Sequence, residues 1–253
     1  MTTLISDTLA ILRREAIRYR RDRAYWVGQV VFPLAFVGFM GFGLNDVVKL
    51  PSGTDYAGHL ASGLLALLVG SGAVGGGFSL IEDRQTGFLR ALLIAPVARA
   101  SIVLGKLVAR ISVSLLLVLL LVACMSTFTE LRIVSLPALV TAIAGVTTVF
   151  VAIGIALGSR LRRLESFRTI AALVTVPLYL FSGIFYPIET LPAGMRALAY
   201  ANPLTYGVEL MRFGLLGVNE IPVATCAAMM GGLGLLAALF AVWIFDRGER
   251  AGA

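Results

Sequence analysis

Charged residues are scarce in this chain, and long apolar runs take their place. Charged residues make up 14% of the 253 residues and hydrophobic residues 58%, whereas soluble domains contain about a quarter charged and about half apolar residues. This balance excludes an ordinary soluble domain and indicates an integral membrane protein. The net charge of +7 would suggest nucleic-acid binding in a soluble chain. Here the basic residues flank apolar runs, so we predict the lipid bilayer as a partner and no nucleic acid.

Histidine and cysteine are nearly absent. His59 is the single histidine, and Cys124 and Cys226 both lie inside apolar runs. A metal site or a serine–histidine hydrolase needs several such groups within reach of one another, so we predict neither a metal site nor catalytic residues. We expect His59 to be solvated or to cap a helix, and the two cysteines to be small buried hydrophobic residues without a disulfide.

Nucleotide-binding motifs are also missing. No stretch matches G-x-x-x-x-G-K-[ST], so the chain has no P-loop, and any ATP that it uses must be bound by another polypeptide. Residues Gly70–Gly75 match G-x-G-x-x-G, but they lie in an apolar run with no strand before them, so we reject a dinucleotide site. The spacing of Gly72 with Gly76, and of Gly154 with Gly158, instead favours close packing of helices, within one chain or between two.

Six apolar runs are long enough to cross a bilayer, which takes roughly 20 helical residues. The runs are Ala24–Asn45, Ala57–Ile81, Ser101–Met125, Ile133–Gly158, Thr169–Ile188 and Ile221–Phe245. Short connections leave no room for a soluble domain, so we predict that residues 1–253 form one all-α membrane domain with six transmembrane helices. The runs hold almost no ionisable residues, which disfavours a carrier driven by protons or ions.

Basic residues are distributed unequally between the two sides of this layout. Seventeen of the 21 lysines and arginines fall before the first run, in or beside the second and fourth connections, or after the last run, leaving Lys49, Arg132, Arg196 and Arg212 for the other side. The basic side is therefore predicted to be cytoplasmic, with both termini on it. We expect the long side chains of Lys106 and Arg110 to reach toward the membrane interface.

The first 23 residues form a separate pattern. Leu4, Leu12 and Tyr19 fall on one helical arc, arginines cover the opposite arc, and Glu15 interrupts the apolar side. This pattern predicts an amphipathic helix lying in the membrane interface with its basic side toward anionic headgroups. The alternative is a cytosolic helix that only supplies positive charge for orientation.

The connection after the second run carries an amphipathic helix, which we predict over residues 82–100. Phe88, Leu89, Leu92, Leu93 and Pro96 fall within an arc of roughly 140°, with Arg90 on the other side. Glu82 and Asp83 are expected to face the cytosol. Such an apolar face needs a cover, which a groove on a soluble partner would provide. The alternative is a helix that folds back onto its own bundle or onto the membrane surface.

A second unusual segment follows the fifth run. Two modest helical patches, roughly Leu191–Tyr200 and Leu204–Leu216, are divided by Asn202-Pro203, and neither is long enough to span. We predict a re-entrant external helical hairpin over residues 187–216, with Glu189, Arg196, Glu209 and Arg212 near the aqueous rim. The alternative is a simple external cap.

These two segments together resemble the permease subunits of type-2 ABC exporters, nearest to the daunorubicin and multidrug type. The first stretch is Glu82-Asp83-Arg84-x-x-Gly87-Phe88-Leu89-Arg90, continuing to Ala95-Pro96-Val97 and Gly105-Lys106. The second is Phe181-Ser182-Gly183-Ile184-Phe185-Tyr186-Pro187, continuing to Asn202-Pro203-Leu204-Thr205-Tyr206. With the N-terminal helix and the six spans, the similarity covers nearly the whole chain.

The resemblance implies a permease in a bacterial inner membrane that has no ATPase site of its own. Two copies would associate as a homodimer, and each would dock its cytosolic helix on a separate ABC-type ATPase subunit that binds ATP and Mg²⁺. The residues implied in this coupling are Glu82, Asp83, Arg84, Gly87, Phe88, Leu89, Arg90, Leu92, Leu93 and Pro96. Those implied in the substrate path or gate are Phe181, Gly183, Phe185, Tyr186, Pro187, Asn202, Pro203 and Tyr206.

The cargo is less well defined than the family. An amphiphilic drug- or lipid-like substrate is favoured, because the compact length and Gly87-Phe88-Leu89-Arg90 look closest to drug and lipid exporters. A polysaccharide, O-antigen or glycolipid exporter is the alternative, since aromatic residues near the outer segment would suit stacking on sugars. A non-transporting membrane scaffold or scramblase is a second alternative, in which the cytosolic helix merely packs on the bundle.

Overall fold

The computed structural model describes residues 2–45, 47–50, 53–87, 99–161 and 163–250. Within these residues all regular secondary structure is helical, as the sequence predicts. The α-helices in chain order are α1 (Thr2–Arg21), α2 (Arg23–Phe36), α3 (Phe42–Asn45), α4 (Tyr56–Gln85), α5 (Arg99–Met125), α6 (Leu136–Arg160), α7 (Leu164–Leu180), α8 (Ala193–Ala201), α9 (Pro203–Leu216) and α10 (Val223–Arg250).

Five stretches of the described residues are helical, long and apolar enough to cross a membrane. They are Tyr25–Asn45, Tyr56–Gln85, Ala100–Met125, Leu136–Arg160 and Val223–Phe245. These helices correspond to the first, second, third, fourth and sixth predicted runs. The boundaries follow local capping, as at Asp55, whose carboxylate accepts a hydrogen bond from the Ala57 backbone amide at the start of α4.

The first of these stretches is not a uniform α-helix. Five residues, Val37–Gly41, form a π-helical turn between α2 and α3, and Pro33 lies in the preceding helix. A Cβ atom added at Gly41 would lie 2.9 Å from Cβ of Ala57. The π-helical turn therefore ends where the first span packs closely against the start of α4.

The fifth predicted run ends earlier than the sequence suggests. Helix α7 covers 17 residues and stops at Leu180, so it is about 25 Å long, less than the hydrocarbon core of about 30 Å. The chain turns at Phe181, and Gly183 adopts a left-handed conformation with φ of 75°. The prediction that the fifth run continues as a helix to Ile188 is therefore wrong. The six-span layout stays a prediction.

Helix α6 lies at the centre of the bundle, in contact with α4, α5, α7, α9 and α10. Its contact with α4 is made backbone to backbone through glycines. A Cβ atom added at Gly77 would lie 1.9 Å from the Gly154 carbonyl oxygen, and one added at Gly158 would lie 2.6 Å from the Gly77 carbonyl oxygen. Gly154 and Gly158 therefore pack against α4 of the same chain. Of the two alternatives given above, contact within one chain or between two chains, the structure shows the first for this pair.

Replacing Gly77 tests whether this contact holds the bundle together. We expect Gly77→Ala to lower the free energy of unfolding by about 1–3 kcal/mol or more, because the added methyl group meets backbone atoms that cannot turn away. Thermal unfolding of the detergent-purified protein measures the effect. Gly75→Ala on the same helix is the control, since a Cβ atom there meets nothing within 4 Å. Equal melting temperatures for both variants would contradict the proposed contact.

Candidate functional site

The predicted coupling segment falls partly outside the described residues. Its apolar face and Arg90 lie there entirely, so the roles of these residues stay predictions: Phe88, Leu89, Arg90, Leu92, Leu93 and Pro96. Its first residues form the last turn of α4, which ends at Gln85, and Gly87 follows with φ of 75°. Arg99 begins α5. The described structure therefore shows the two helices between which the segment is held.

A buried lysine joins these two helices and α1. The Nζ of Lys106 donates hydrogen bonds to Asp83 Oδ2 at 2.7 Å, to Ser79 Oγ at 2.9 Å and to Glu15 Oε1 at 3.2 Å. Lys106 is 7% exposed, Asp83 2% and Glu15 3%. The expectations that Lys106 reaches toward the interface and that Asp83 faces the cytosol are therefore wrong. Two carboxylates compensate the ammonium group where it lies, so it has no need to reach water.

Helix α1 contributes two further ion pairs at the same place. Arg14 Nη2 donates to Asp83 Oδ1 at 2.7 Å, and Arg18 forms an ion pair with Glu82. Arg84 Nη1 lies 3.4 Å from the Gly158 carbonyl oxygen at the end of α6. The predicted N-terminal helix is thus present and bound by its charges to the base of the coupling segment. Its position in the membrane interface stays a prediction.

The predicted outer segment contains two short helices, α8 and α9, close to the predicted bounds. Asn202 separates them: its side-chain oxygen accepts from the Leu204 amide at 3.0 Å, and its Nδ2 donates to the Leu178 carbonyl oxygen at 2.6 Å. Pro203 is the first residue of α9. Helix α9 is largely buried against α4, α6 and α10. Whether the pair re-enters the membrane stays a prediction.

A second buried charged cluster fixes this outer end. Arg212 pairs with Glu209, donates through Nη2 to the Gly183 carbonyl oxygen at 2.8 Å, and lies 3.2 Å from Nε2 of His59. Glu209 Oε2 also accepts from the backbone amides of Glu220 and Ile221. His59, Glu209 and Arg212 are all buried. The expectations of a solvated His59 and of Glu209 and Arg212 at the aqueous rim are wrong, because all three side chains are buried and hold one another by hydrogen bonds and an ion pair.

A cavity of about 240 Å³ opens beside this cluster, lined by His59, Pro187, Glu189, Arg212, Val218, Asn219 and Glu220. Burial, together with the nearby Glu209 carboxylate, raises the pKa of Glu220 above its ordinary value. Among the described residues, no group of three or more histidine, cysteine or acidic side chains is arranged to hold a metal ion.

The predicted path residues are brought together only in part. Gly183 and Pro187 lie beside the Arg212 cluster. The backbone carbonyl of Phe185 accepts from the Tyr56 hydroxyl at 3.3 Å, and Tyr186 donates to the Leu180 carbonyl oxygen. Phe181, Phe185 and Tyr186 are half-buried. Tyr206 is buried and donates to the Tyr200 carbonyl oxygen at 2.7 Å.

Lys106 with Glu15, Ser79 and Asp83 is called the inner cluster below. Sequence reasoning missed Ser79 and Glu15 as members of it. One signal was available, because Glu15 interrupts the apolar arc of α1, and an ionisable group on such a face needs a partner. Nothing in the pattern identifies that partner, since Lys106 lies 91 positions away.

Comparisons with known proteins point to one family. A family model described as ABC-2 type transporter matches residues 6–216. The transport permease ycf38 of Porphyra purpurea is 28% identical over 221 residues, covering 83% of this chain and 74% of the relative. The inner membrane transport permease YadH of Escherichia coli K12 is 23% identical over 225 residues, covering 85% of each chain. Nodulation protein J of Rhizobium leguminosarum bv. viciae is 25% identical over 230 residues, covering 88% of this chain and 86% of the relative.

Removal of Lys106 alone from the inner cluster should destabilise the protein strongly. We expect Lys106→Met to lower the free energy of unfolding by up to about 3–5 kcal/mol, because the buried carboxylates of Asp83 and Glu15 would be left with Arg14 as their one shared cationic partner among the described residues. Adding Asp83→Asn and Glu15→Gln should recover part of that loss. Thermal unfolding in detergent compares these proteins with Lys49→Met, which removes an exposed lysine. A Lys106→Met protein as stable as the Lys49→Met control would contradict the cluster.

Proposed function

The chain belongs to the ABC-2 type transporter family, and on this premise we propose that it is the permease of an ATP-driven exporter. Permeases of this family work with an ABC-type ATPase subunit, and the membrane subunits are generally not enzymes. We propose that the separate subunit binds ATP and Mg²⁺, that this chain holds no cofactor, and that the coupling helix predicted over residues 82–100 is the docking segment.

The observation that carries this proposal is the position of α4. At one end, Glu82 and Asp83 bind α1 and α5 at the base of the docking segment. At the other end, His59 contacts Arg212 of α9. The 30 residues of α4 cover about 45 Å, so a single rigid helix connects the two regions. A force applied to the docking segment would reach the outer helices through it.

The inner cluster makes this transmission efficient. Separating a buried ion pair costs about 3–5 kcal/mol, so α1, α4 and the start of α5 would move as one unit. The Gly77 contact with Gly154 would pass the motion to α6. Glu82, Asp83, Arg84 and Gly87 would therefore act mainly by holding the base of the docking segment, and the residues beyond Gly87 would contact the ATPase.

We propose that two copies form a homodimer and that the substrate passes between them. Within one chain, α9 is largely enclosed by α4, α6 and α10, which favours a path at the surface between chains. The side chains we assign to the path or gate are Phe181, Gly183, Phe185, Tyr186, Pro187, Asn202, Pro203 and Tyr206. Their apolar and aromatic character supports an amphiphilic drug- or lipid-like substrate. Stacking of sugars on the half-buried Phe181, Phe185 and Tyr186 supports the second candidate, a polysaccharide or glycolipid.

We propose a bacterial inner membrane location with both termini cytoplasmic. The basic connections meet at one end of the bundle, where Arg18 binds Glu82 and Arg84 lies beside Gly158. Arg168 near the start of α7 lies 5.2 Å from the Phe78 ring centre at the same end. A relative named as an inner membrane transport permease supports the same location.

Cysteine labelling tests this orientation. In a background with Cys124 and Cys226 replaced by serine, we expect Ser166→Cys to react with a membrane-impermeant maleimide only after the cells are opened. Gly194→Cys should react in intact cells, because Gly194 lies on the opposite side of the proposed layout. Both positions are exposed, so access to the reagent depends on the side of the membrane. The reverse labelling would overturn the topology.

Charge placed on the apolar face of the docking segment tests the ATPase contact. We expect Leu89→Asp or Leu93→Asp to abolish co-purification with the ATPase subunit, because a carboxylate cannot enter an apolar groove without losing its hydration. The matched control is Ser126→Asp, which adds the same charge at an exposed position in the connection after α5. Unchanged co-purification of the leucine variants would count against the docking surface, provided that all three proteins insert into the membrane.

Reconstitution separates a transporter from a scaffold or scramblase. Proteoliposomes that contain the permease and its ATPase subunit should move substrate only with ATP, and Leu89→Asp should abolish that movement. Movement without nucleotide would favour a scramblase. Absence of any movement, with normal assembly, would favour a scaffold.

A further inference from the structure

Arg110 is a second buried cation on α5, and the expectation that it reaches toward the membrane interface is wrong. The residue is 3% exposed. Its guanidinium carbon lies 5.4 Å from the Tyr19 ring centre on α1 and 5.6 Å from the Tyr25 ring centre on α2. Both distances are within the roughly 6 Å at which a cation is attracted to an aromatic face, an attraction that is strongest where water is excluded. Arg110 therefore joins α5 to α1 and α2 through one side chain.

The guanidinium also fills the space beside Gly72 of α4. A Cβ atom added at Gly72 would lie 1.6 Å from Arg110 Nη2, 2.8 Å from Arg110 Cζ and 3.4 Å from the Tyr25 hydroxyl. Any side chain at position 72 would therefore displace the guanidinium. The spacing of Gly72 with Gly76 predicts the close approach of another helix, but at Gly72 the structure shows the close approach of a side chain instead.

The first span is otherwise weakly held to the bundle. In the most apolar part of Tyr25–Asn45, 17% of the residues are buried, against 67% in the corresponding part of Tyr56–Gln85. Trp26 Nε1 donates to the Tyr19 carbonyl oxygen at 2.9 Å, which fixes the corner between α1 and α2 without involving α4. The contact of Arg110 with Gly72 links this corner to α4.

We propose that Arg110 is a positioning residue for transport. Its guanidinium, held beside Tyr19 and Tyr25 and against the Gly72 backbone, ties the first span and the N-terminal helix to α4, so that these helices move together. The movement rests on the proposed function, whereas the contact itself does not. Lys106, one turn earlier on α5, joins α5 to α1 and α4, and Arg110 extends the same unit to α2.

A double-mutant cycle tests the contact. We expect Gly72→Ala to lower the melting temperature of the detergent-purified protein by about 4–8 °C, because the methyl group forces the guanidinium away from the tyrosine rings and a cation–π contact is lost. In an Arg110→Ala protein the same substitution should raise the melting temperature, because alanine favours a helix more than glycine does and the methyl group enters vacated space. Equal shifts in the two backgrounds overturn the proposal.

Gly76→Ala, one turn further along α4, is the matched control. A Cβ atom there meets Val151 at 3.7 Å, an ordinary contact distance, so its shift should be the same in both backgrounds. Arg110→Lys is a further background in case Arg110→Ala does not fold. Its side chain keeps the charge but lacks the fork of the guanidinium, so Gly72→Ala should cost less there than in the parent protein. An equal cost overturns the contact.

Electron paramagnetic resonance tests the movement in the permease bound to its ATPase subunit. Nitroxide labels are placed at Val27→Cys on α2 and Ser71→Cys on α4, both exposed positions, in a protein with Cys124 and Cys226 replaced by serine. We expect the distance between the labels to stay the same when ATP and vanadate are added to the parent protein, and to change in Gly72→Ala. The same response in both proteins overturns the positioning role.

Failure of the proposed function gives a different result. If no ATPase subunit binds the permease, the proposed function fails, and the melting-temperature cycle still decides whether Arg110 holds the first span to α4.

Discussion

A lysine buried in a membrane bundle must be neutralised where it lies, and Lys106 determines the inner end of this chain for that reason. Its acceptors come from two other helices, with Glu15 on α1 and both Ser79 and Asp83 on α4. Because neither helix alone supplies all of them, α1, α4 and α5 must meet at one point. The N-terminal helix is therefore held to the bundle by specific charges as well as by any contact with lipid headgroups.

The same requirement operates at the opposite end, where Arg212 is neutralised by Glu209 and also bonds to the Gly183 backbone. Helix α4 takes part in both clusters, through Asp83 and through His59. Between them, its close contact with α6 leaves no space for even a methyl group at Gly77. A helix fixed at both ends and packed tightly in the middle is suited to move as a rigid body, the property that the proposed connection between the ATPase and an outer gate requires.

Local sequence patterns predicted the helices well, but they did not predict which polar side chains pair with one another inside the bundle. The long apolar runs and the division at Asn202-Pro203 are local features of the sequence. For this reason the sequence alone correctly predicts five of the spans and the two short helices. The end of α7 was missed because the apolar run continues beyond Leu180, and composition does not reveal the conformation of Gly183. Most partners in the two buried clusters were missed because they are distant in sequence, as His59 and Arg212 are at 153 positions apart; the pair of Arg212 with Glu209 is local, but its burial is not visible in the sequence. An ionisable residue near a helix end looks the same in sequence whether it is paired or solvated. The apolar face of the docking segment, formed by Phe88, Leu89, Leu92 and Leu93, lies outside the described residues and rests on sequence.

The π-helical turn at Val37–Gly41 gives the first span a sensitivity to chain length. A π-turn accommodates one residue more than an α-turn, and each residue of an α-helix turns the chain by about 100°. Loss of a single residue from this turn would therefore rotate the last residues of the span, Phe42–Asn45, relative to α2 and move Gly41 away from Ala57. A substitution elsewhere in the span would not have this effect. The number of residues in the first span therefore determines which of its residues face the start of α4.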